Sequence, residues 1–335
     1  MWQERLFSLP YREQNRFLEV FLSLLAIPYR VGALTCQKIR QHSFKESFPK
    51  PVISIGSVIA GGSGKTTFTQ LLAERLERRV AIISHGYRAR KRGKVEDISY
   101  GDEAFLLQKK LPGARVFSGK DRVANMRRAV REEVDYFLLD SGMQVKGLHK
   151  DLEIAVIHYD NLFRHWHYLP RGLLRESPYS LKDVSFIALQ GVRTEAAFHK
   201  AKAFLERYSK APLFAVNTFV TNGAEIDGKK IAAFTGIGHP ERFYQMIEEA
   251  GGEVVFKKTL PDHASLKDKE AFVREAAIRG AELLLCTEKD LIKLEDKRGF
   301  IALEIEMRPV FGEEIFTSLC NTIEKLILIS HDRRI

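Results

Sequence analysis

Short apolar runs alternate with stretches of helical spacing along most of the chain. The runs lie at 51–58, 80–84, 136–140, 153–158 and 184–190; the first is rich in β-branched residues, and the others end in polar or turn residues. Such runs are typical of buried strands. Because helical stretches separate several of them, the pattern predicts an α/β fold with a mostly parallel sheet covered by helices on both faces.

A second block of strands and helices follows a polar turn at 221–230 (TNGAEIDGKK). The runs IAAFTGIG, EVVFKKTL and ELLLCTEKD are its predicted strands, which indicates a second, smaller α/β domain. We therefore predict an N-terminal segment over 1–50, a first domain over 51–220 and a second domain over 221–335. The pattern leaves open whether the last helix returns to the first domain.

The N-terminal segment contains an apolar stretch at 20–29 (VFLSLLAIPY). It has about half of the ~20 residues that cross a bilayer, contains Pro28 and is followed by Arg30, so we expect that it does not span one. Basic residues continue after it at Lys38, Arg40, Lys45 and Lys50. Two interpretations stay open: a segment lying in a membrane interface, or a core helix with a solvated end.

Composition narrows the classes of protein. The chain has 335 residues, of which 45% are hydrophobic and 29% charged, a globular balance that argues against a disordered chain or a polytopic membrane protein. Its net charge of +10 suggests a polyanionic partner, which could be nucleic acid, nucleotide phosphates or an anionic membrane surface. Three widely separated cysteines and an N-terminus without secretory-signal order predict a reducing, intracellular location.

A glycine-rich turn between a predicted strand and a predicted helix is the strongest chemical signal. The residues predicted to bind nucleotide are Gly61, Gly62, Ser63, Gly64, Lys65, Thr66 and Thr67. Backbone amides of such a loop face phosphates at a helix N-terminus, while Lys65 would reach the β- and γ-phosphates and Thr66 would bind Mg²⁺. Ile59 occupies the position of the first glycine of the full pattern. A purely structural turn is the alternative to a nucleoside triphosphate site.

Acidic residues and one histidine are further candidates. Asp140 ends the run YFLLD, the position from which a carboxylate holds Mg²⁺ in phosphoryl transfer. Asp102 and Glu103 open a helical stretch, where acids also occur merely because of the helix dipole. His263 is a lone loop histidine, for which surface exposure is the alternative. The sequence TEKD at 287–290 gives a weak argument for GTP.

In this order, the motifs resemble the tetraacyldisaccharide 4'-kinase family, the lipid A kinases of Gram-negative bacteria. The resemblance covers about residues 20–330 and is carried by VISIGS…GGSGKT at 52–66, SHGY at 84–87, GDE at 101–103, LDSGMQ…LHKDLEI at 139–154, LPRGLLRE at 169–176, FTGIGHPERF at 234–243, LPDH at 260–263 and TEKDLIK at 287–293. Where that family usually has an arginine this chain has His85, and Ser141 replaces a second acid.

The resemblance implies ATP- and Mg²⁺-dependent phosphorylation of the 4'-hydroxyl of an acylated glucosamine disaccharide 1-phosphate. It implies a peripheral or monotopic enzyme at the cytoplasmic leaflet of the inner membrane, with no nucleic acid partner. The roles implied for single residues are a catalytic base for Asp102, a partner in the other domain for His263, phosphate binding for Lys65, metal contacts for Thr66, Asp140 and Glu103, and substrate binding for Arg175.

Two rival functions remain at this stage. A basic P-loop ATPase or GTPase switch that binds RNA or protein explains the charge and the phosphate loop, but it leaves the GDE, LPRGLLRE and LPDH motifs without a role. A kinase acting on a soluble sugar or nucleoside fits the proposed catalytic residues and leaves the apolar N-terminal stretch unexplained.

Overall fold

The computed structural model describes residues 16–86, 93–95, 98–261 and 264–332. They form two compact units. The first is built from the described parts of 1–85, 111–217 and 308–335, and the second from those of 86–110 and 218–307.

Strands and helices alternate through both units. The strands are β1 Val52–Gly56, β2 Val80–Ser84, β3 Gly93–Val95, β4 Ile98–Tyr100, β5 Arg115–Ser118, β6 Tyr136–Asp140, β7 Leu152–His158, β8 Phe186–Gln190, β9 Leu213–Val220, β10 Lys230–Thr235, β11 Glu253–Thr259, β12 Leu283–Thr287, β13 Phe300–Leu303 and β14 Ile305–Phe311. The α-helices are α1 Arg16–His42, α2 Lys65–Leu76, α3 Asp102–Lys110, α4 Arg122–Ala129, α5 Tyr159–Arg164, α6 Glu195–Leu205, α7 Gly223–Ile226, α8 Pro240–Glu249, α9 Lys269–Ile278, α10 Glu288–Leu291 and α11 Glu313–Asp332. A 3₁₀ helix covers Pro178–Asp183.

The large sheet has eight strands in the order β14-β9-β8-β7-β1-β6-β2-β5. Every neighbouring pair from β9 across to β5 is parallel. All residues of β1, β2 and β6 are buried, as their continuous apolar sequences predict for strands covered on both faces. The predicted fold class is therefore confirmed.

The second unit has its own parallel sheet, in the order β11-β10-β12-β13. Its two faces pack in separate apolar clusters, one around Phe243 and Ile247 of α8 and one around Phe272 and Ala276 of α9. The hairpin of β3 and β4 is antiparallel.

The units differ from the predicted domains in two respects: residues 86–110 fall in the second unit, and residues 308–335 fall in the first. In the second unit, α3 is joined to α10 by two ion pairs, Lys110–Glu288 and Lys289–Glu103. The backbone of Asp102 thus lies in the second unit, outside the range predicted for the first domain. The last helix, α11, belongs to the first unit.

The N-terminal helix α1 also differs from expectation. It runs for 27 residues straight through Pro28, and by length and composition alone the stretch Phe17–His42 could cross a membrane. The helix thus extends well beyond the apolar run at 20–29, and whether it spans a membrane stays a matter of prediction. The core interpretation fails, since Leu22 is the one buried side chain between Phe17 and His42.

Candidate active site

The phosphate loop joins β1 to α2, as the sequence predicts. Gly64 precedes the helix with φ +77°, and a Cβ there would lie 2.0 Å from Gln190 Oε1 at the end of β8. Gly61 has φ +91°. Only glycine fits both the backbone conformation and the close approach at Gly64. The N-terminus of α2, with its favourable dipole for anions, therefore faces the end of the loop.

Ile59 has a structural reason to replace the usual first glycine. Its side chain is fully buried, and its backbone pairs with Leu174 in an antiparallel bridge. Next to it, the Ala60 amide donates to the Leu173 carbonyl at 2.7 Å. The loop is thus held on one side by the LPRGLLRE sequence at 169–176, and the β-branched side chain anchors that contact in the core.

Lys65, Thr66 and Asp140 come together at the carboxyl ends of two neighbouring strands. Because β1 and β6 are parallel and pair Ile55 with Asp140, the loop after β1 lies beside the last residue of β6. Thr66 Oγ1 donates to Asp140 Oδ2 at 2.9 Å, and Lys65 Nζ donates to Ser63 Oγ at 2.9 Å. Asp140 is buried. A carboxylate and a hydroxyl are oxygen ligands of the kind that Mg²⁺ prefers, so these residues fit the metal.

The missing second acid is replaced by a hydrogen-bonding serine. Ser141 has φ +61°, in the left-handed region, and its Oγ donates to Asp140 Oδ1 at 3.3 Å. Both oxygens of the Asp140 carboxylate therefore accept a hydroxyl hydrogen bond in this chain.

Arg122 is a site residue that the sequence reasoning missed. Its guanidinium is buried and donates to the backbone carbonyls of Ile83 and Asp140, the latter at 2.9 Å, so it ties the ends of β2 and β6 together. Burial lowers its pKa to about 10 despite the neighbouring Asp140 carboxylate, so it stays charged at neutral pH. The sequence did contain a signal for Arg122. Asp121 caps α4 by accepting a hydrogen bond from the Ala124 amide, and a capped helix start after a strand places the next residue at the edge of the sheet.

Arg175 reaches the phosphate loop from the LPRGLLRE sequence. Its Nε donates to the Ser57 carbonyl at 3.3 Å, and Gln144 Nε2 donates to the same oxygen at 3.0 Å. Burial lowers its pKa, with Glu176 opposing the shift. Nη2 is buried and has no hydrogen-bond partner among the residues that the structure describes. A guanidinium with an unused buried N–H suits an oxyanion, in agreement with a substrate-binding role.

His85 follows β2 and has a lowered pKa, because of its partial burial and then the positive charges of Arg122, Lys120 and Arg175. The folded protein therefore binds this proton less readily than the unfolded chain, whose histidine pKa is about 6.5. Unfolding takes up protons as the pH falls through that value, so the free energy of unfolding should decrease from pH 7 to pH 5.

Replacing His85 by glutamine should make that decrease smaller, as measured by urea unfolding at the two pH values. Part of the decrease should remain, because burial also lowers the pKa of His165 and His167. Equal pH dependence in the wild type and the variant would contradict the interpretation.

The second unit contains the remaining predicted residues. The backbone of Asp102 begins α3, while its side chain and the whole of His263 lie outside the described residues. Glu103 Oε1 lies 3.1 Å from Lys289 Nζ. No group of three His, Cys, Asp or Glu side chains that could hold a metal occurs in the described part of the chain. The roles of Asp102, His263 and Glu103 stay predictions.

The weak argument for GTP from TEKD is wrong. Asp290 would have to face a base, yet its side chain is 1% exposed and pairs with Lys293 at 2.8 Å. Its carboxylate also accepts hydrogen bonds from Thr235 and Thr287. The acid is fully engaged inside the second unit.

Comparison with known proteins gives consistent matches. The sequence model of the LpxK family, tetraacyldisaccharide-1-P 4'-kinase, matches residues 18–324. The tetraacyldisaccharide 4'-kinase of Chlamydia pneumoniae is 35% identical over 305 residues, 82% of each chain. That of Syntrophus aciditrophicus is 30% identical over 90% of this chain and 92% of its own. The crystal structure of LpxK from Aquifex aeolicus in complex with ATP has a TM-score of 0.71 at 26% identity, covering 91% of this chain and 99% of that one.

Proposed function

The chain belongs to the tetraacyldisaccharide-1-P 4'-kinase family, and from this premise we propose how its residues perform the reaction. That reaction is ATP-dependent transfer of the γ-phosphate to the 4'-hydroxyl of tetraacyldisaccharide 1-phosphate, a step of lipid A biosynthesis that gives lipid IVA. One observation supports the proposed roles most strongly: Thr66, which directly follows Lys65 of the phosphate loop, donates a 2.9 Å hydrogen bond to Asp140.

Lys65 and the amides of the loop bind the ATP phosphates. The transferring phosphoryl group passes through a loose transition state, so positioning and charge neutralisation contribute most of the catalysis. Lys65 supplies a positive charge at the end of the loop, and Arg122 fixes the strand ends from which Asp140 projects. Thr66 and Asp140 would hold Mg²⁺, which would neutralise charge on the phosphates, and a metal contact is also the role proposed for Glu103.

Asp102 acts as the base that accepts the proton of the 4'-hydroxyl, and His263 assists it. Little covalent chemistry falls to the protein in such a reaction, so the base is needed late, as the oxygen–phosphorus bond forms. Arg175 binds a phosphate group of the disaccharide substrate through its buried Nη2.

Transfer of labelled γ-phosphate from ATP to tetraacyldisaccharide 1-phosphate in detergent tests the proposal. We expect labelled product only when the acceptor has a free 4'-hydroxyl. A soluble glucosamine disaccharide should accept little label, and RNA should not stimulate ATP hydrolysis. ATP hydrolysis that RNA stimulates, without transfer to the disaccharide, would support the switch hypothesis instead.

We further propose that α1 lies in the cytoplasmic leaflet of the inner membrane. Its exposed large apolar side chains include Phe17, Val20, Phe21, Leu24, Ile27 and Val31. Their spacing of three and four residues puts them on one stripe of the helix. An exposed apolar stripe on a helix with basic neighbours is the arrangement of an interfacial helix.

Contacts along α1 favour an interfacial position over a spanning one. Arg30 stacks on the Tyr168 ring with 5.9 Å to its centroid, and Arg40 forms an ion pair with the buried Glu176. At the C-terminal end, Gln41 Nε2 donates to Asp183 Oδ2 at 3.4 Å. The helix thus follows the first unit between Arg30 and Gln41, and a helix crossing the ~30 Å hydrocarbon core would have to leave these contacts.

Replacing Phe17, Phe21 and Leu24 together by serine should lower binding to vesicles of anionic phospholipid at least about tenfold. Burying one large apolar side chain contributes about 1.5–3 kcal/mol, so partial immersion of three is enough for this change. The matched control is Ile278→Ser in α9, which removes an equally exposed apolar side chain from the second unit. Unchanged vesicle binding of the triple variant in sedimentation would contradict the proposal.

A further inference from the structure

A buried ion pair joins two residues of the TEKDLIK sequence at 287–293, which we call the clamp segment. Lys293 Nζ lies 2.8 Å from Asp290 Oδ1, and both side chains are 1% exposed. The other carboxylate oxygen accepts hydrogen bonds from Thr235 Oγ1 at 2.9 Å, the Gly236 amide at 2.9 Å and Thr287 Oγ1 at 2.7 Å. Because buried charges are costly unless fully hydrogen-bonded, this pair fixes the ends of β10 and β12 against each other.

The lysine of this ion pair also contacts the backbone of Ala264, the first described residue after 263. Lys293 Nζ donates to the Ala264 carbonyl at 3.5 Å, and the Ala264 amide donates to the Pro261 carbonyl at 2.8 Å. A Cβ on Gly236 would lie 2.9 Å from the Ala264 oxygen and 3.3 Å from the Pro261 oxygen. Ala264 is therefore in direct contact with the clamp segment, and Gly236, whose amide donates to Asp290, packs against both Ala264 and Pro261.

The start of the clamp segment holds α3. Glu288 Oε2 lies 2.5 Å from Lys110 Nζ, and both side chains are 19% exposed. Lys289 Nζ lies 3.1 Å from Glu103 Oε1. Glu103 is the second residue of α3 and Lys110 is its last, so the helix is held at both ends by neighbouring residues of α10.

We propose that the clamp segment positions the reacting acid and histidine: it holds the helix that begins at Asp102 through Glu288 and Lys289, and it contacts Ala264, the residue after His263, through Lys293. This inference rests on the proposed function, because it takes Asp102 and His263 as the residues that move the proton. The proposal gives the TEKDLIK sequence a positioning role, in place of the recognition of a guanine base. Its members are positioning residues, since they act through the two proposed reacting groups.

Lys110→Met is the sharpest test, because it removes the ion pair with Glu288 at the end of α3 farthest from Asp102. Any effect on Asp102 must then come through the position of the helix. We expect kcat to fall about tenfold while the KM for ATP changes less than twofold, since small misplacement of a reacting group lowers the rate without affecting nucleotide binding. Lys110→Arg keeps the ion pair and should restore kcat. The matched control is Lys269→Met, which removes the 2.8 Å pair with Asp296 elsewhere in the second unit.

Thermal unfolding separates positioning from stability. Lys110→Met and Lys269→Met should have similar melting temperatures, and only the first should lose activity. A kcat for Lys110→Met equal to that of the control would overturn the proposal.

The Asp102→Ala background separates this inference from the proposed function. If both are correct, Lys110→Met has little further effect on kcat there, because the two changes remove the same contribution. If Asp102→Ala itself leaves kcat near normal, the assignment of the base is wrong. An undiminished tenfold loss on top of a large Asp102→Ala effect would overturn the clamp proposal alone.

Discussion

Replacing Lys65 by alanine should lower kcat for phosphoryl transfer by about 10²–10³-fold. Lys65 lies at the first position of α2, beside Ser63 Oγ at 2.9 Å, where its charge faces phosphates bound by the loop. Removing one preorganised charge or donor from developing transition-state charge costs about 3–4 kcal/mol in a site of this kind. Labelled γ-phosphate transfer to tetraacyldisaccharide 1-phosphate in detergent measures the loss.

Lys202→Ala is the matched control, because Lys202 is an exposed lysine on α6 of the same unit. It should transfer phosphate at the wild-type rate. Both variants should unfold at about the wild-type temperature, since neither lysine is part of the apolar core. A Lys65→Ala enzyme with kcat within a fewfold of that of the control would refute the role of the loop in catalysis.

The position of the phosphate loop follows from the strand order. The chain first fills one side of β1 with β2, β5 and β6, and then the other side with β7, β8 and β9. Ligands of open parallel sheets bind at the carboxyl ends of strands where this order reverses. Gly56 ends β1 at that point, Asp140 ends the neighbouring strand β6, and Gln190 ends β8, two strands away on the other side, at the same edge. The fold thus brings the loop and its acid together without any long-range sequence signal.

The sequence predicted the features that depend on local pattern. Continuous apolar runs identified β1, β2 and β6, and the glycines before Lys65 identified the loop. Asp140 could be assigned from its place after YFLLD, because the ends of parallel strands meet at one edge.

Features that depend on tertiary packing could not be predicted. Arg122 reads as one arginine among several until its carbonyl partners are known. The strand–helix alternation gives no sign that 86–110 belongs to the second unit, because the contacts between α3 and α10 join residues far apart in the sequence. Pro28 was read as a break, although a helix can continue through a proline when its other hydrogen bonds and contacts suffice.

Replacing Asp102 by asparagine should lower kcat by about 10²–10⁴-fold, the usual contribution of a general base, and leave the KM for ATP nearly unchanged. Asparagine has the same shape but cannot take up the proton of the 4'-hydroxyl. His263→Ala should lower kcat in the same direction, and the double variant should be little worse than Asp102→Asn, because the two residues act on one proton.

The competing interpretation is that Asp102 merely stabilises the start of α3 through the helix dipole. An acidic residue at another helix start of the same unit serves as the control that distinguishes this role from that of a base. Asp268 caps α9 by accepting a hydrogen bond from the Ala271 amide at 2.8 Å. Asp268→Asn keeps a good capping residue, so kcat should not change. The free energy of unfolding should change by no more than about 1 kcal/mol. If Asp102 has only the dipole role, Asp102→Asn should behave in the same way. A large loss of kcat in Asp102→Asn with unfolding like that of Asp268→Asn therefore assigns the carboxylate to the reaction, because only proton transfer requires its charge at the substrate hydroxyl.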